Sequence, residues 1–353
     1  MTKINVAVIF GGPGPEHDVS KSSAINIFDN LDTLKYNIIP IYISKENEWF
    51  LYDGSTSKIS NNIEIYCASV VPSKQSILRI VGDKVKTISL DVAFSIVHGK
   101  LGEDGTIQGV FEAMEIPYVG CSTLSSAVCM DKTYTKLIAN SIGIPTTEHI
   151  ILKKHKKDIK EILNDEKINE IKEKIGFPCI VKPSSSGSSV GTAKVKNKKE
   201  LLISVSEAFE IDNKIMIEKY IKARELECAI LGSGDNIICT LPGEILTTDT
   251  IYSYDAKYNN PSSKNIIPAK VSEDIAELAK EYSMKLFEAV DGDGMCRVDF
   301  FLDTKTNILI FNEINTIPGF TDISMYPKLL VHEGITNKNI LDKLIEMAIS
   351  KYE

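Results

Sequence analysis

The sequence predicts an α/β protein with an N-terminal doubly wound α/β domain followed by two α+β domains. Three observations predict it. The chain has 353 residues, too many for one compact core and suited to two or three domains. Residues 4–43 read strand, glycine-rich turn, helix, strand, which is a βαβ unit of a doubly wound sheet. Beyond residue 145 short strands and helices alternate less regularly, and an antiparallel hairpin near residues 297–315 marks a different architecture.

Composition bounds the rest. Apolar residues make up 43% and charged residues 25% of the chain, the balance of an ordinary soluble globular protein. The formal net charge of −8 argues against a surface that coats nucleic acid. A phosphate-bearing small molecule can still bind through a few local lysines and arginines. Apolar runs are shorter than a bilayer span, and the N-terminus moves straight into a strand, so neither a membrane helix nor a signal peptide is expected. Seven cysteines, an odd and scattered set, fit buried thiols of a reducing cytoplasm better than disulfides or a zinc site.

Ile4–Phe10 is an apolar, β-branched run that ends at Gly11-Gly12-Pro13-Gly14-Pro15. A helix is expected from about Asp18 to Leu31, with Asp18 or Ser20 as its cap. Gly11-Gly12 is not a complete dinucleotide fingerprint, which weakens a dehydrogenase reading. Glu16 lies in the crevice beyond a strand's carboxyl end, where α/β ligands bind. A carboxylate there suits a ligand ammonium, or is simply a solvated loop charge. Residues 44–90 read as a meander insertion. Asp91–Val97 is a buried strand running into His98-Gly99-Lys100-Leu101-Gly102-Glu103-Asp104-Gly105, a tight ligand-facing turn. A short strand is expected at Pro117–Gly120 and one helix over Ser122–Ser141.

Domain boundaries are expected at 1–130, 131–217 and 218–353. In the central segment Pro178–Pro183 is a strand bearing Lys182, followed by Ser184-Ser185-Ser186-Gly187-Ser188-Ser189-Val190-Gly191. Such a loop can fold its backbone N–H groups over phosphates; the competing reading is a flexible linker. It is no P-loop, lacking that spacing. Glu218-Lys219-Tyr220-Ile221 reads as the hinge to the last domain. Glu225 and Glu227 share one face of the next strand. Residues 247–268 form a long aperiodic loop of the kind that serves as a lid, with Lys257 and Tyr258 in it. An amphipathic helix is expected over Val271–Val290, and a terminal one over Asn339–Lys351.

The hairpin carries the chemistry. Arg297 and Asp299 share one strand face, as do Glu313 and Asn315 on the next strand. If the strands pair, Asp299, Glu313 and Asn315 come together with Arg297 at the rim. Three oxygen donors without sulfur or imidazole describe a hard-cation site, most naturally Mg²⁺ bridging phosphates. The same alternation also fits a hairpin with a solvated polar face. Pro318-Gly319, which lets backbone approach a ligand, favours the cation site.

The strings Gly11-Gly12…Glu16-His17-Asp18-Val19-Ser20, His98…Gly109, Met130-Asp131-Lys132, Val181-Lys182-Pro183…Gly191, Glu218…Glu225, Lys257-Tyr258, Arg297-Val298-Asp299 and Asn312…Thr321 occur in this order. Together they resemble the D-alanine–D-alanine ligase family of ATP-grasp enzymes over nearly the whole chain. The resemblance implies three domains, with ATP held between the central and C-terminal sheets. It implies that Lys132, Lys182 and Lys257 contact phosphates, that Glu218 and the backbone near Tyr220 and Ile221 meet adenine, and that Glu225 holds the ribose. Asp299, Glu313 and Asn315 would hold two Mg²⁺, replaceable by Mn²⁺. Glu16 would bind the ammonium of the first D-alanine in a set with Ser188 and Tyr258, and His98 would lie near its carboxylate. Arg297 and the Gly319 N–H would stabilise the tetrahedral oxyanion, while Ser324 and Met325 would line the second site. A cytoplasmic homodimer making D-alanyl-D-alanine for peptidoglycan is implied, through an acyl phosphate.

Some positions depart from the family pattern: Gly14, Ala223 and Ser253 stand where Ser, Gly and Asp are frequent. The N-terminal third is similar to the D-alanine–D-serine ligases of vancomycin resistance, which form the alternative reading. Those branches tend to carry Arg where this chain has Met325. A non-catalytic nucleotide-binding relative is a further alternative, disfavoured by the intact Asp299, Glu313, Asn315, Arg297 and Tyr258.

Overall fold

The structure, a computed structural model, describes residues 2–59, 63, 67–155, 158–246 and 264–352. Three sheets organise them. In the first, β1 (Ile4–Gly11) lies parallel between β2 (Tyr36–Ile43) and β7 (Val92–Ser95). The meander β3 (Trp49–Tyr52), β4 (Cys67–Ser73), β5 (Ser76–Val81) and β6 (Lys84–Ser89) continues it antiparallel, in the order β6-β5-β4-β3-β2-β1-β7. Alternate residues of β1 face opposite sides. Val6, Val8 and Phe10 pack with Ala24 and Ile27 of helix α1 (His17–Asn30). Ala7 and Ile9 pack with Ile107 and Phe111 of α2 (Thr106–Ala113). Helices on both faces make the sheet doubly wound.

Three local expectations change. The strand anticipated at Pro117–Gly120 is reduced to a bridge between Tyr118 and Ala93. Helix α1 starts at His17 behind Glu16 and has no side-chain cap. Ser20 is instead turned to the sheet, where its hydroxyl accepts from the Gly11 N–H at 2.9 Å and donates to the Ile96 carbonyl at 2.6 Å. The helix over Ser122–Ser141 is two, α3 (Thr123–Met130) and α4 (Lys132–Ser141). Asp131 breaks them with an extended backbone, because its carboxylate accepts the Thr133 N–H as the cap of α4.

The second sheet is antiparallel, in the order β10-β9-β11-β8, from β8 (His149–Lys153), β9 (Cys179–Pro183), β10 (Ala193–Val195) and β11 (Lys214–Lys219). Helices α5 (Ile159–Ile162), α6 (Asp165–Lys174) and α7 (Lys198–Ile211) accompany it. Its core is its own, with Ile171, Val181, Leu201, Val205, Ile215 and Ile217 fully enclosed.

The third sheet contains β12 (Ala223–Ser233), β13 (Asn236–Cys239), β14 (Gly243–Leu246), β15 (Lys264–Ile266), β16 (Gly294–Asp303) and β17 (Leu309–Asn315). Its order is β15-β14-β12-β16-β17, with β13 paired to β12. Helix α8 (Glu273–Ala289) packs on one side; α9 (Met325–His332) and α10 (Asn337–Ser350) pack on the other. The side facing α9 and α10 does not have a separate core. Leu231, Met295, Tyr326, Leu329 and Ile340 join Val8, Phe10 and Phe94 of the first sheet in one continuous apolar cluster.

Among the described residues no helix is long and apolar enough to cross a membrane. Cys121, Cys129, Cys179, Cys228 and Cys296 are buried and unbridged.

Candidate active site

The hairpin pairs as its alternation requires. Arg297 stands opposite Asn315, and Asp299 opposite Glu313. Immediately beyond Asp299 the register shifts by a bulge, so that Phe300 faces Phe311. The unmatched residue is Asn312, and the bulge turns both Asn312 and Glu313 to one cleft. Arg297 does not sit at the rim. Its Nε and Nη2 each lie 2.7 Å from an oxygen of Asp299, a two-point pair, and Nε lies 3.1 Å from Glu227 on β12. Burial works against the charge of this guanidinium, but Asp299 and Glu227 outweigh it and raise the pKa well above the ordinary arginine value. Asn315 Nδ2 donates to Asp299 Oδ2 at 3.1 Å. Lys132, at the start of α4, lies 3.1 Å from Glu313 and donates to the Ser186 carbonyl at 2.8 Å.

Two clefts meet at this junction. The larger, about 1060 Å³, runs between the second and third sheets and is lined by Lys132, Lys182, Glu218, Tyr220, Ile221 and Glu225. Lys182 and the buried Lys136 each approach a different oxygen of Glu218, at 2.6 and 2.7 Å. Glu218 is buried, which disfavours its charge, yet the two ammonium groups hold it well below the usual carboxylate range. Lys194 lies over the Tyr220 ring, 3.4 Å from its centre.

The second cleft, about 760 Å³, is lined by Glu16, His98, Ser188, Gly319, Ser324 and Met325. Glu16 accepts a hydrogen bond from Ser188. Gly187 and Gly99 leave room for it: a Cβ at Gly187 would lie 2.8 Å from Glu16 Oε1, and one at Gly99 would collide with the other oxygen. Ser188 and Ser189 both hold left-handed backbone, φ 47° and 59°. Non-glycine residues adopt that conformation rarely, and such strain clusters at ligand sites. His98 lies with Nδ1 3.1 Å from the Ile317 carbonyl and Nε2 3.4 Å from Ser23 Oγ. A carbonyl only accepts, so Nδ1 carries the proton; burial holds the ring below its usual pKa, although Glu16 opposes this.

Lys257 and Tyr258 lie outside the described residues, as do positions 247–263 of the loop expected around them; its last part is no loop, since Lys264–Ile266 pair with β14 as strand β15. The other catalytic, binding and metal-ligating candidates expected from the sequence line one cleft or the other, and Glu227 and Glu313 line both. Sequence reasoning missed Lys136 behind Glu218, Thr147 on the wall of the larger cleft, Asn312 at the bulge, and Glu103 in the smaller cleft with Glu16. The one signal was Lys136 itself, four residues after Lys132 and therefore on the same helix face.

Asp299, Glu313 and Asn315 offer only oxygen donors from opposed strand positions, which suits a hard divalent ion. In this conformation the two carboxylates are neutralised by Arg297 and Lys132. Among the described residues no three His, Cys, Asp or Glu side chains close on one point, so the amide of Asn315 and ligand oxygens are needed to complete the donor set.

Comparison with known proteins gives concordant findings. Residues 5–121 match the family described as "D-ala D-ala ligase N-terminus", and residues 138–346 match "D-ala D-ala ligase C-terminus". The chain is 44% identical to a D-alanine–D-alanine ligase of Caldicellulosiruptor bescii, over 99% of this chain and 96% of that one. It is 43% identical to one of Clostridium acetobutylicum, over 99% of each. Among solved structures it is similar to the VanG D-Ala:D-Ser ligase of Enterococcus faecalis, with TM-score 0.87, 37% identity, and 98% and 100% coverage. It is also similar to the D-alanine–D-alanine ligase of Coxiella burnetii, with TM-score 0.84, 35% identity, and 99% and 96% coverage.

Proposed function

The chain belongs to the D-alanine–D-alanine ligase family, and from that premise we propose how its two clefts divide the reaction. It is an ATP-dependent, ADP-forming carbon–nitrogen ligase that joins two D-alanines for peptidoglycan precursor synthesis. ATP is a substrate, and the family implies a divalent metal. One observation carries the division of labour: Glu227 and Glu313 line both clefts, so a nucleotide in one meets an amino acid in the other at the hairpin.

In this reading the larger cleft takes ATP. Lys132 and Lys182 hold phosphates, Glu218 and the backbone of Tyr220 and Ile221 meet adenine, and Glu225 meets the ribose. In the smaller cleft Glu16, oriented by Ser188, takes the ammonium of the first D-alanine, and neutral His98 lies near its carboxylate. Ser324 and Met325 line the second D-alanine. An amine cannot displace oxide from a carboxylate. A carboxylate oxygen therefore attacks the γ-phosphorus of ATP, ADP leaves, and D-alanyl phosphate forms. The amine of the second D-alanine then attacks the carbonyl carbon, and phosphate leaves with the bonding electrons. Arg297 and the Gly319 N–H stabilise the oxyanion between these steps; the charge that Arg297 keeps despite burial supports that role. Asp299, Glu313 and Asn315 are the residues to hold two Mg²⁺, or Mn²⁺ in their place. Such ions, when bound, neutralise charge on the transferring phosphoryl group.

A second reading has D-serine as the second substrate, and the likeness to a D-Ala:D-Ser ligase favours it. Against it, Met325 is 4% exposed and, among the described residues, stands with Ile245 and Ile323 as the apolar part of a cleft whose nearby polar groups are the uncharged Asn265 and Ser324. A homodimer in the cytoplasm completes the proposal. The test is ADP release dependent on D-alanine, with the product identified by mass. Release without D-alanine, or a product other than the dipeptide, would overturn the reading.

A further inference from the structure

Glu218 is approached from two sides. Lys182 comes from the cleft, its Nζ 2.6 Å from Glu218 Oε2, and also lies 3.4 Å from Asn312 Oδ1. Lys136 comes from behind, on α4, with its side chain wholly enclosed and its Nζ 2.7 Å from Glu218 Oε1. The same ammonium donates to Thr147 Oγ1 at 2.9 Å, and the Thr147 hydroxyl donates in turn to Glu218 Oε1. One buried carboxylate thus has two ammonium partners, and only one of them, Lys182, lines the cleft.

We propose that Lys136 is a positioning residue, the standing counter-ion of Glu218, which frees Lys182 to move from Glu218 to the phosphates of bound ATP. This rests on reading the larger cleft as the ATP site. The physical argument is one of stranded charge. Removing one partner of a buried ion pair leaves the other charge uncompensated, at high cost. If Lys182 were the sole partner of Glu218, every phosphate contact it made would strand Glu218. With Lys136 and Thr147 fixed on Oε1, Glu218 stays ionised when Lys182 leaves. The nearby charges agree. Glu313 lies on the phosphate side with Lys132 as its own partner, so it does not need Lys136. Burial holds the Lys136 ammonium below the ordinary lysine pKa; Glu218 opposes this, Lys182 on the far side of the carboxylate adds to it, and Glu313 opposes it more weakly, so the pair rests on the geometry of Glu218 and Thr147 around Lys136.

The test is Lys136→Met, which keeps the volume and removes the charge. Direct binding of ATP and of adenosine to the full-length protein is measured by calorimetry. ATP binding is expected to weaken about tenfold or more, because Lys182 is retained by Glu218. Adenosine asks nothing of Lys182, so its binding is expected to stay within about twofold. Equal weakening of both ligands, or of neither, would overturn the proposal. A second variant guards against misfolding. In a Glu218→Gln background there is no carboxylate to compensate, so adding Lys136→Met should weaken ATP no further; an additional loss there also overturns it. Failure of the wild-type protein to bind ATP at all would instead refute the assignment of the cleft.

Discussion

Ser188 donates a hydrogen bond to the carboxylate of Glu16 across 172 positions of the chain. That contact closes the Ser/Gly loop of the second sheet over the start of α1. Glu16 precedes the helix, yet its side chain does not cap the helix N-terminus.

Replacing Ser188 by Ala removes a hydrogen bond to a charged group, an effect of about 1.5–3 kcal/mol. The KM for the first D-alanine is expected to rise by roughly ten- to a hundredfold, with ATP binding little changed. Initial rates of ADP release across D-alanine concentrations check this. An unchanged KM would remove Ser188 from the amino-acid site.

Glu313→Gln keeps the shape of the junction but takes away a charge that faces Asp299. D-alanine-dependent turnover is expected to fall by at least about a hundredfold, while the melting temperature stays close to that of the parent. Near-normal turnover at moderate Mg²⁺ would move the metal site elsewhere.

Glu103 governs a pH effect. Burial, then the neighbouring Glu16, pushes its carboxyl up to about 8, although the Gly99 N–H and Arg297 pull the other way. An acid raised on folding binds more protons folded than unfolded between its two pKa values. Stability therefore falls as pH rises from the usual glutamate range to about 8 and levels off above it. Glu103→Gln should lose less stability over that window. Melting curves of both proteins at about pH 5 and about pH 8.5 test this; parallel losses would refute the role of Glu103.

D-Alanine should outcompete D-serine as the second substrate at equal concentration, and D-lactate should be used least. An apolar wall rejects an added hydroxyl only weakly, about a hundredfold at best, so a minor D-Ala-D-Ser product is expected. Product masses from the mixture give the ratio. A dominant D-Ala-D-Ser product would make the chain a resistance-type ligase.

The parts of the site legible in the sequence are those governed by local periodicity. Asp299 and Glu313 could be placed together because period-two alternation survives on both strands of one hairpin. Glu16 was legible as a crevice carboxylate, but only the family resemblance set Ser188 beside it, since nothing local says that the two touch. Asn312 was missed because a bulge, not alternation, aims it. Lys136 was missed because its partner lies on a strand of another sheet, and a lysine on a helix ordinarily reads as solvated. The break at Asp131 went unread because the same residue type caps a helix or decorates one, depending on which N–H groups are free.

The first and third sheets share one apolar cluster, whereas the second sheet keeps a core to itself, so two of the three units are packed into one larger piece. The second sheet is a jaw. It carries Lys182 and Glu218 on its two central strands and the loop with Ser188 beyond them, and it is jointed to the larger piece where Asp131 meets Ser184 and Lys214 and where Lys136 meets Glu218. Both clefts borrow a wall from this unit, the larger from its strands and the smaller from Gly187 and Ser188 of its loop. A displacement of the second sheet against the rest of the chain would therefore change the walls of both clefts together.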